Sequence, residues 1–142
     1  MRLLDDGIEF SAEPGRSRGR VLIHSAGRPE NDEVLNFLCE IDDVGASATT
    51  MVGTLDGDRL NIWAAELAES YAGWDGIRSW KSLDHNLRID ATHDGRGHVS
   101  LRFVLRGPRG YEPDAWEAST YVEIDAGEDT RRLAAEITAF LA

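Results

Sequence analysis

The spacing of the apolar residues changes along this chain of 142 residues, and the change constrains the fold more than any other feature. Apolar residues alternate with polar ones up to about residue 54, follow a helical spacing at 60–71, and alternate again from residue 83. Alternation is typical of strands with one buried face, and a spacing of three and four residues is typical of an amphipathic helix. The order strands, helix, strands, helix therefore predicts an α+β fold.

In the first half, a hairpin that turns at Pro14, Gly15 and Arg16 joins a strand around residues 8–12 to an apolar run at 21–23. Two further strands are predicted at 34–42 and 47–54, around a turn at 42–45. Four alternating residues are expected to form the buried face of the strand at 34–42: Leu35, Phe37, Cys39 and Ile41. Cys39 is the only cysteine, so an intrachain disulfide is excluded and an inert, packed thiol is expected.

Three strands are predicted in the second half, at 83–91, 99–105 and 116–124. Their expected buried sets are Leu83, His85, Leu87, Ile89 and Ala91; Val99, Leu101, Phe103 and Leu105; and Trp116, Ala118, Thr120, Val122 and Ile124. Arg102 and Arg106 are expected to lie opposite acids such as Glu117 and Glu123. His85 is interpreted as a hydrogen-bonded core residue rather than a metal ligand.

Two amphipathic helices complete the prediction. The buried stripes are Leu60, Trp63, Ala64, Leu67 and Tyr71 in the first helix, and Leu133, Ala134, Ile137, Phe140 and Leu141 in the second. Asp56 or Asp58 is expected to cap the first helix. We therefore expect one domain over residues 1–142, with a mostly antiparallel sheet of about seven strands and both helices on one face.

The charge is distributed unevenly along the sequence. The chain has a net charge of -11, and residues 30–75 contain eleven acids against Arg59 alone. A field of one sign attracts partners of the opposite sign and repels phosphate backbones. Although Arg16, Arg18, Arg20 and Arg28 cluster near the first hairpin, the balance indicates a protein partner with a basic surface rather than a nucleic acid.

The sequence does not resemble a membrane protein, because no apolar run approaches the roughly 20 residues that cross a bilayer. Its start lacks the apolar stretch of a secretory signal, so a cytoplasmic location is expected. No cofactor or metal is predicted. His93, His98 and Asp94 flank a predicted hairpin turn and could hold zinc, but such residues at a hairpin tip are common without a metal.

The order of elements also carries a resemblance to a known family. The residues concerned are the helix at 60–71, Gly73, Trp74 and Trp80, the Gly-His-Val sequence at 97–99, and the terminal helix at 133–141. In these patterns the chain resembles the WapI-type immunity proteins of bacterial polymorphic toxin systems, and related actinobacterial domains of unknown function. The resemblance implies a small cytoplasmic protein that neutralises a toxin by binding it, without a cofactor.

Together these patterns favour a non-enzymatic protein-binding domain. The expected contacts with the partner are Glu40, Asp42, Asp43, Asp56, Asp58, Glu66, Glu69, Trp74 and Trp80. Each acid could instead be a solvated surface group, and Trp74 and Trp80 could cover the core. Two other functions remain open, namely a small enzyme or ligand-binding domain with a pocket between sheet and helices, and a subunit of a homo-oligomer.

Overall fold

The computed structural model describes residues 1–11, 19–29 and 33–142. In these residues it contains nine strands and two helices. Their bounds are β1 Arg2–Leu4, β2 Gly7–Ser11, β3 Arg20–Gly27, β4 Val34–Asp43, β5 Ala46–Leu55, α1 Leu60–Glu69, β6 Arg78–Lys81, β7 Leu87–His93, β8 His98–Arg106, β9 Glu117–Asp125 and α2 Glu128–Leu141. The predicted turn at Pro14, Gly15 and Arg16, and the predicted strand residue Ala12, lie outside the described residues.

The predicted α+β class and the order strands, helix, strands, helix are confirmed. The described strands form two antiparallel sheets rather than one, in the orders β1-β2-β3-β4-β5 and β6-β7-β8-β9. They also exceed the expected number of about seven, because β1 and β6 have three and four residues and are too short to show alternation. The chain leaves the first sheet through α1, and β6 then pairs with β7.

Strands β4 and β5 form the longest hairpin and show why alternation predicted the buried face. They pair over their whole length, from Val34 opposite Leu55 to Asp43 opposite Ala46. The four predicted core residues of β4 are all buried: Leu35, Phe37, Cys39 and Ile41. Burial, with a smaller contribution from the charge of Glu40, raises the pKa of the Cys39 thiol far above its ordinary value, so this thiol stays protonated and unreactive.

Both helices lie against the inner faces of the sheets. One hydrophobic cluster contains residues from both sheets and from both helices. Phe10 of the first sheet contacts Phe103 of the second at 5.2 Å between ring centroids, and Phe37 contacts Phe140 of α2 at 5.5 Å. An apolar cavity of only about 10 Å³ remains where the sheets and helices meet. The core is therefore close-packed, as is usual for a folded protein.

The prediction of a strand beginning at residue 83 is wrong. Strand β7 begins at Leu87, and residues 82–86 form a turn in which the His85 amide donates to the Ser82 carbonyl at 3.1 Å. Leu83 is 57% exposed, and His85 is exposed with a left-handed φ of 62°. His85 is therefore a turn residue and not a core residue. The prediction failed because two alternating positions before a strand occur equally in a turn and in an extension of that strand.

Two further predicted core residues are exposed. Helix α1 ends at Glu69, so Tyr71 lies beyond it and is 61% exposed. Trp116 is 43% exposed because it precedes β9 instead of lying in it. The expected cross-strand pair forms between Arg106 and Glu117, at 3.7 Å, whereas Arg102 lies opposite Tyr121 and stacks on its ring.

The structure also bears on membrane insertion. Among the described residues, no helix has the length and apolar character that crossing a bilayer requires.

Candidate functional site

Two acids of the predicted contact set, Glu40 and Asp43, lie near the β4–β5 turn and form hydrogen bonds with other parts of the chain. Glu40 bonds His24, with 2.7 Å between Oε2 and Nε2. The hydroxyl of Thr120, on β9, donates to Asp43 Oδ2 at 2.7 Å and so links the two sheets. Both carboxylates therefore have structural roles.

The two aspartates before α1 also have partners within the fold. Arg28 donates to Asp56 at 2.7 Å. Asp58 accepts the backbone amides of Leu55, at 3.2 Å, and Leu83, at 2.6 Å, and so joins the end of β5 to the turn before β7.

Neither aspartate caps α1, so that prediction is wrong. The residue before the helix is Arg59, and no side chain caps the helix. Residues 56–59 all have positive φ, and this left-handed run directs the Asp58 carboxylate back toward β5. Four consecutive left-handed residues are rare. Aspartate and glycine tolerate this conformation, so the sequence is compatible with it at residues 56–58, but Arg59 gives no signal that the run continues to the helix.

Trp80 lies in β6 and is only 6% exposed. Its indole Nε1–H donates to the Asp58 carbonyl at 2.9 Å. Trp63 of α1 similarly donates to the Arg78 carbonyl at 3.3 Å, which holds α1 beside β6. The predicted partner contact of Trp80 is therefore not supported, because its side chain faces the core.

Three acids of the predicted set remain, namely Asp42, Glu66 and Glu69. Each is exposed, and none has a side-chain hydrogen bond or ion pair with the described part of the chain. Asp42 lies at the β4–β5 turn, beside β9, whereas α1 lies beside β6 at the opposite edge of the second sheet. The structure therefore does not bring the predicted acids together on one surface.

Glu66 and Glu69 belong to a surface that we call the α1–β6 face. It consists of Ile62, Glu66, Glu69, Trp74, Asp75 and Arg78. Ile62, Glu66 and Glu69 are spaced by four and three residues and so share one side of α1. An open depression of about 550 Å³ lies between this side of the helix and β6.

Trp74 of the α1–β6 face is held between His93 and Arg78. Its ring is half-buried and packs edge-on against His93 at 5.2 Å between centroids. The guanidinium of Arg78 lies 4.8 Å from the Trp74 ring centroid and also donates to the Ser70 hydroxyl at 2.7 Å. Trp74 packs on the core and leaves part of its ring exposed to solvent.

The β7–β8 hairpin holds a second group of polar side chains. The predicted zinc ligand His93 already uses both ring nitrogens, because Gly95 N–H donates to its Nδ1 at 2.8 Å and its Nε2 bonds the Tyr71 carbonyl at 3.0 Å. His98 Nδ1 bonds Asp94 Oδ2 at 2.8 Å. Asp94, His98 and Glu123 have ligand atoms within 4.8 Å of one another. Glu123 thus takes the place that His93 was expected to have.

A family model matches residues 12–142, which is nearly the whole chain, and its description is a family of unknown function, DUF6228. The chain belongs to DUF6228. No curated protein and no solved structure matches this DUF6228 member.

Sequence reasoning missed two residues of these sites in the DUF6228 chain. Asp75 is one of the acids of residues 30–75, but no pattern assigns it to a site, because the sequence does not give the course of the chain after α1. Glu123 lies on β9 opposite Ser100, and that register places it near His98. Alternation does put Glu123 on the outer face of β9, but no sequence feature gives the register between β8 and β9.

Proposed function

We propose that this DUF6228 member is a non-enzymatic protein-binding domain that binds a basic partner on its α1–β6 face. The observation that carries the proposal is the difference among its acids. Glu40, Asp43, Asp56 and Asp58 are bonded within the fold, whereas Glu66 and Glu69 are exposed and have no such bond with the described residues. Carboxylates without an internal role are available to a partner. Asp42 is a third such acid, but it lies apart from the other two, which share one side of α1.

The composition of the α1–β6 face supports this proposal. It carries three carboxylates, from Glu66, Glu69 and Asp75, against the one guanidinium of Arg78. Ile62 is 41% exposed on the same side of α1, and part of Trp74 is exposed below it. A partly exposed aromatic ring that is held rigidly is a favourable anchor for a partner, and charges around it mainly raise the association rate.

The fold interior gives less support to the alternative of a small enzyme or a ligand-binding domain. The cavity between sheets and helices measures about 10 Å³ and is lined by apolar residues. Sites for small molecules usually measure about 300–1,000 Å³ and contain converging polar groups. Burial raises the pKa of the Cys39 thiol in this interior, which keeps it protonated and poorly nucleophilic.

We further propose that the partner is a toxin and that this protein is its immunity protein. The support is the resemblance of the helices and of Gly73, Trp74 and Trp80 to the WapI-type immunity proteins. An immunity protein would be encoded beside its toxin, so the product of the neighbouring gene is the first partner to test.

The experiment compares two acidic sites that differ in position. The double variant Glu66→Gln and Glu69→Gln should slow association with the neighbouring gene product severalfold at low salt, because it removes two negative charges from the proposed face. The matched control is Asp42→Lys, which changes the net charge by the same two units at an exposed acid of β4, away from the proposed face, and should leave the rate nearly unchanged. Surface plasmon resonance over a range of salt concentrations measures both rates.

Equal effects of the two variants would contradict the assignment of the α1–β6 face. No binding by the unaltered protein would contradict the proposed toxin partner. Thermal denaturation of each variant checks that it folds, and because all three acids are exposed we expect changes below about 1 kcal/mol.

A further inference from the structure

We propose that Asp94, His98 and Glu123 form a binding site for one divalent transition-metal ion of the zinc type. The site lies on the β7–β8 hairpin and the adjoining strand β9. It adjoins the α1–β6 face, since Asp94 lines one depression with Trp74 and Asp75, but it consists of other residues. Register brings the three residues together, since β8 pairs with β9 so that His98 lies opposite Asp125 and Ser100 lies opposite Glu123. Glu123 is thus a diagonal neighbour of His98 on the same face of the sheet.

The hairpin fixes the Asp94 carboxylate before any ion binds. Its Oδ1 accepts the backbone amides of Arg96, at 2.6 Å, and His98, at 3.1 Å. The turn itself is closed by the Asp94 amide, which donates to the His98 carbonyl at 3.1 Å. Oδ2 remains directed toward His98 Nδ1, at 2.8 Å. The carboxylate can therefore offer Oδ2 to an ion without losing its backbone hydrogen bonds.

The bond between Asp94 and His98 has to open when an ion binds. Because a carboxylate only accepts, Nδ1 of His98 carries the hydrogen of that bond, and the ion takes the place of this hydrogen between the two side chains.

The donor set matches zinc and related ions. One imidazole nitrogen and two carboxylate oxygens are ligands that zinc accepts at about 2.0–2.2 Å. Ligands around such an ion lie roughly 3–3.5 Å apart. The present ligand atoms lie within 4.8 Å of one another, so side-chain movements of up to roughly 1.3–1.8 Å would close the site. Because the site is at the surface, water can complete the coordination.

Isothermal titration of the full, chelator-treated chain with zinc chloride tests the proposal. We expect saturation at one ion per chain. The variants His98→Asn and Glu123→Gln should each weaken binding by about tenfold or more, since loss of a ligand costs at least as much as loss of a second-shell partner. Titration with cobalt chloride should give the visible absorption of a low-coordinate site in the unaltered protein and a weaker one in both variants.

His85→Asn is the matched control. It removes an exposed imidazole from a turn near β7, and asparagine tolerates the left-handed backbone at that position. Its zinc affinity should equal that of the unaltered protein. The proposal is overturned if the unaltered protein takes up no ion, if His98→Asn and Glu123→Gln bind as tightly as it does, or if His85→Asn loses binding. Circular dichroism without metal confirms that each variant is folded.

Discussion

Replacement of Asn86 tests how much the hydrogen bonds between the two sheets contribute to stability. Asn86 is 2% exposed and lies just before β7. Its Nδ2 donates to the carbonyls of Arg106, at 2.8 Å, and Gly107, at 2.7 Å, and contacts the Thr50 hydroxyl of β5 at 3.4 Å. The Asn86 carboxamide therefore donates to two carbonyls at the end of β8, in the second sheet, and also contacts β5, in the first sheet.

Replacement by alanine should destabilise the protein by about 2–5 kcal/mol. The Asn86→Ala variant removes two strong hydrogen bonds. It leaves the Gly107 carbonyl without this donor and the Arg106 carbonyl with only the 3.4 Å contact from Thr50, and a buried carbonyl that loses its donor costs about 1–3 kcal/mol. For a domain of this size, 1 kcal/mol lowers the melting temperature by roughly 2–5 °C, so we expect a fall of roughly 4–25 °C. Urea denaturation gives the free energy of unfolding, and calorimetry gives the melting temperature.

The matched control is Thr50→Val, which keeps the side-chain volume and removes only contacts of 3.4 Å. Because these are weak, it should cost less than about 1 kcal/mol. Asn86→Asp should be worse than Asn86→Ala at neutral pH, since it places a carboxylate oxygen against two carbonyls. Burial would raise the pKa of that carboxyl above its unfolded value, so the Asp variant should gain stability as pH falls and lose it as pH rises. A melting temperature of Asn86→Ala within about 2 °C of the unaltered protein would refute this account.

Two further predictions concern the thiol and the left-handed segment. Burial raises the pKa of Cys39, so a thiol-specific disulfide reagent should not react in native buffer and should react with one equivalent in urea, and rapid native reaction would contradict its packed position. Asp58→Ala should lower the free energy of unfolding by about 2 kcal/mol, since it removes a charged acceptor from two backbone amides. Asp56→Ala removes an ion pair whose carboxylate is 72% exposed, so it should lower the free energy of unfolding by less than about 1 kcal/mol. Both aspartates have left-handed φ, so backbone strain is matched, and equal losses in urea denaturation would show that the Asp58 contacts contribute nothing.

The long regular segments of the fold could be predicted from the sequence. The ten residues of β4 and the hairpin of β7 and β8 have enough alternating positions to identify their buried faces. The stripe of α1 is confirmed for Leu60, Trp63, Ala64 and Leu67, which are all buried. In these segments burial follows directly from the period of the apolar residues.

The division into two sheets could not be predicted in this way. It depends on which strands pair after α1, and β6 is too short to show a period. The spacing of apolar residues does not show that α1 ends at Glu69, because Tyr71 continues that spacing although it is exposed and lies beyond the helix. Periodicity indicates which side of a helix or strand is apolar, but it does not indicate the residue at which the regular backbone hydrogen bonds of that element end.

The candidate site was only partly predictable for a related reason. The sequence located the acidic segment, but it could not show which carboxylates have internal partners. Those partners lie far away in sequence, as for Asp43 with Thr120 and Asp56 with Arg28. The sorting of these acids therefore required the tertiary structure.

The pairing order of the described strands has a consequence for how the chain reaches its fold. Every one of them pairs with its neighbour in sequence, within either the first sheet or the second. Each pairing closes a loop of modest length, and the entropy lost on closure grows with loop length. The contacts between residues farthest apart in sequence, such as Asp43 with Thr120, instead join the two meanders, so docking of the meanders closes longer loops than the formation of either one.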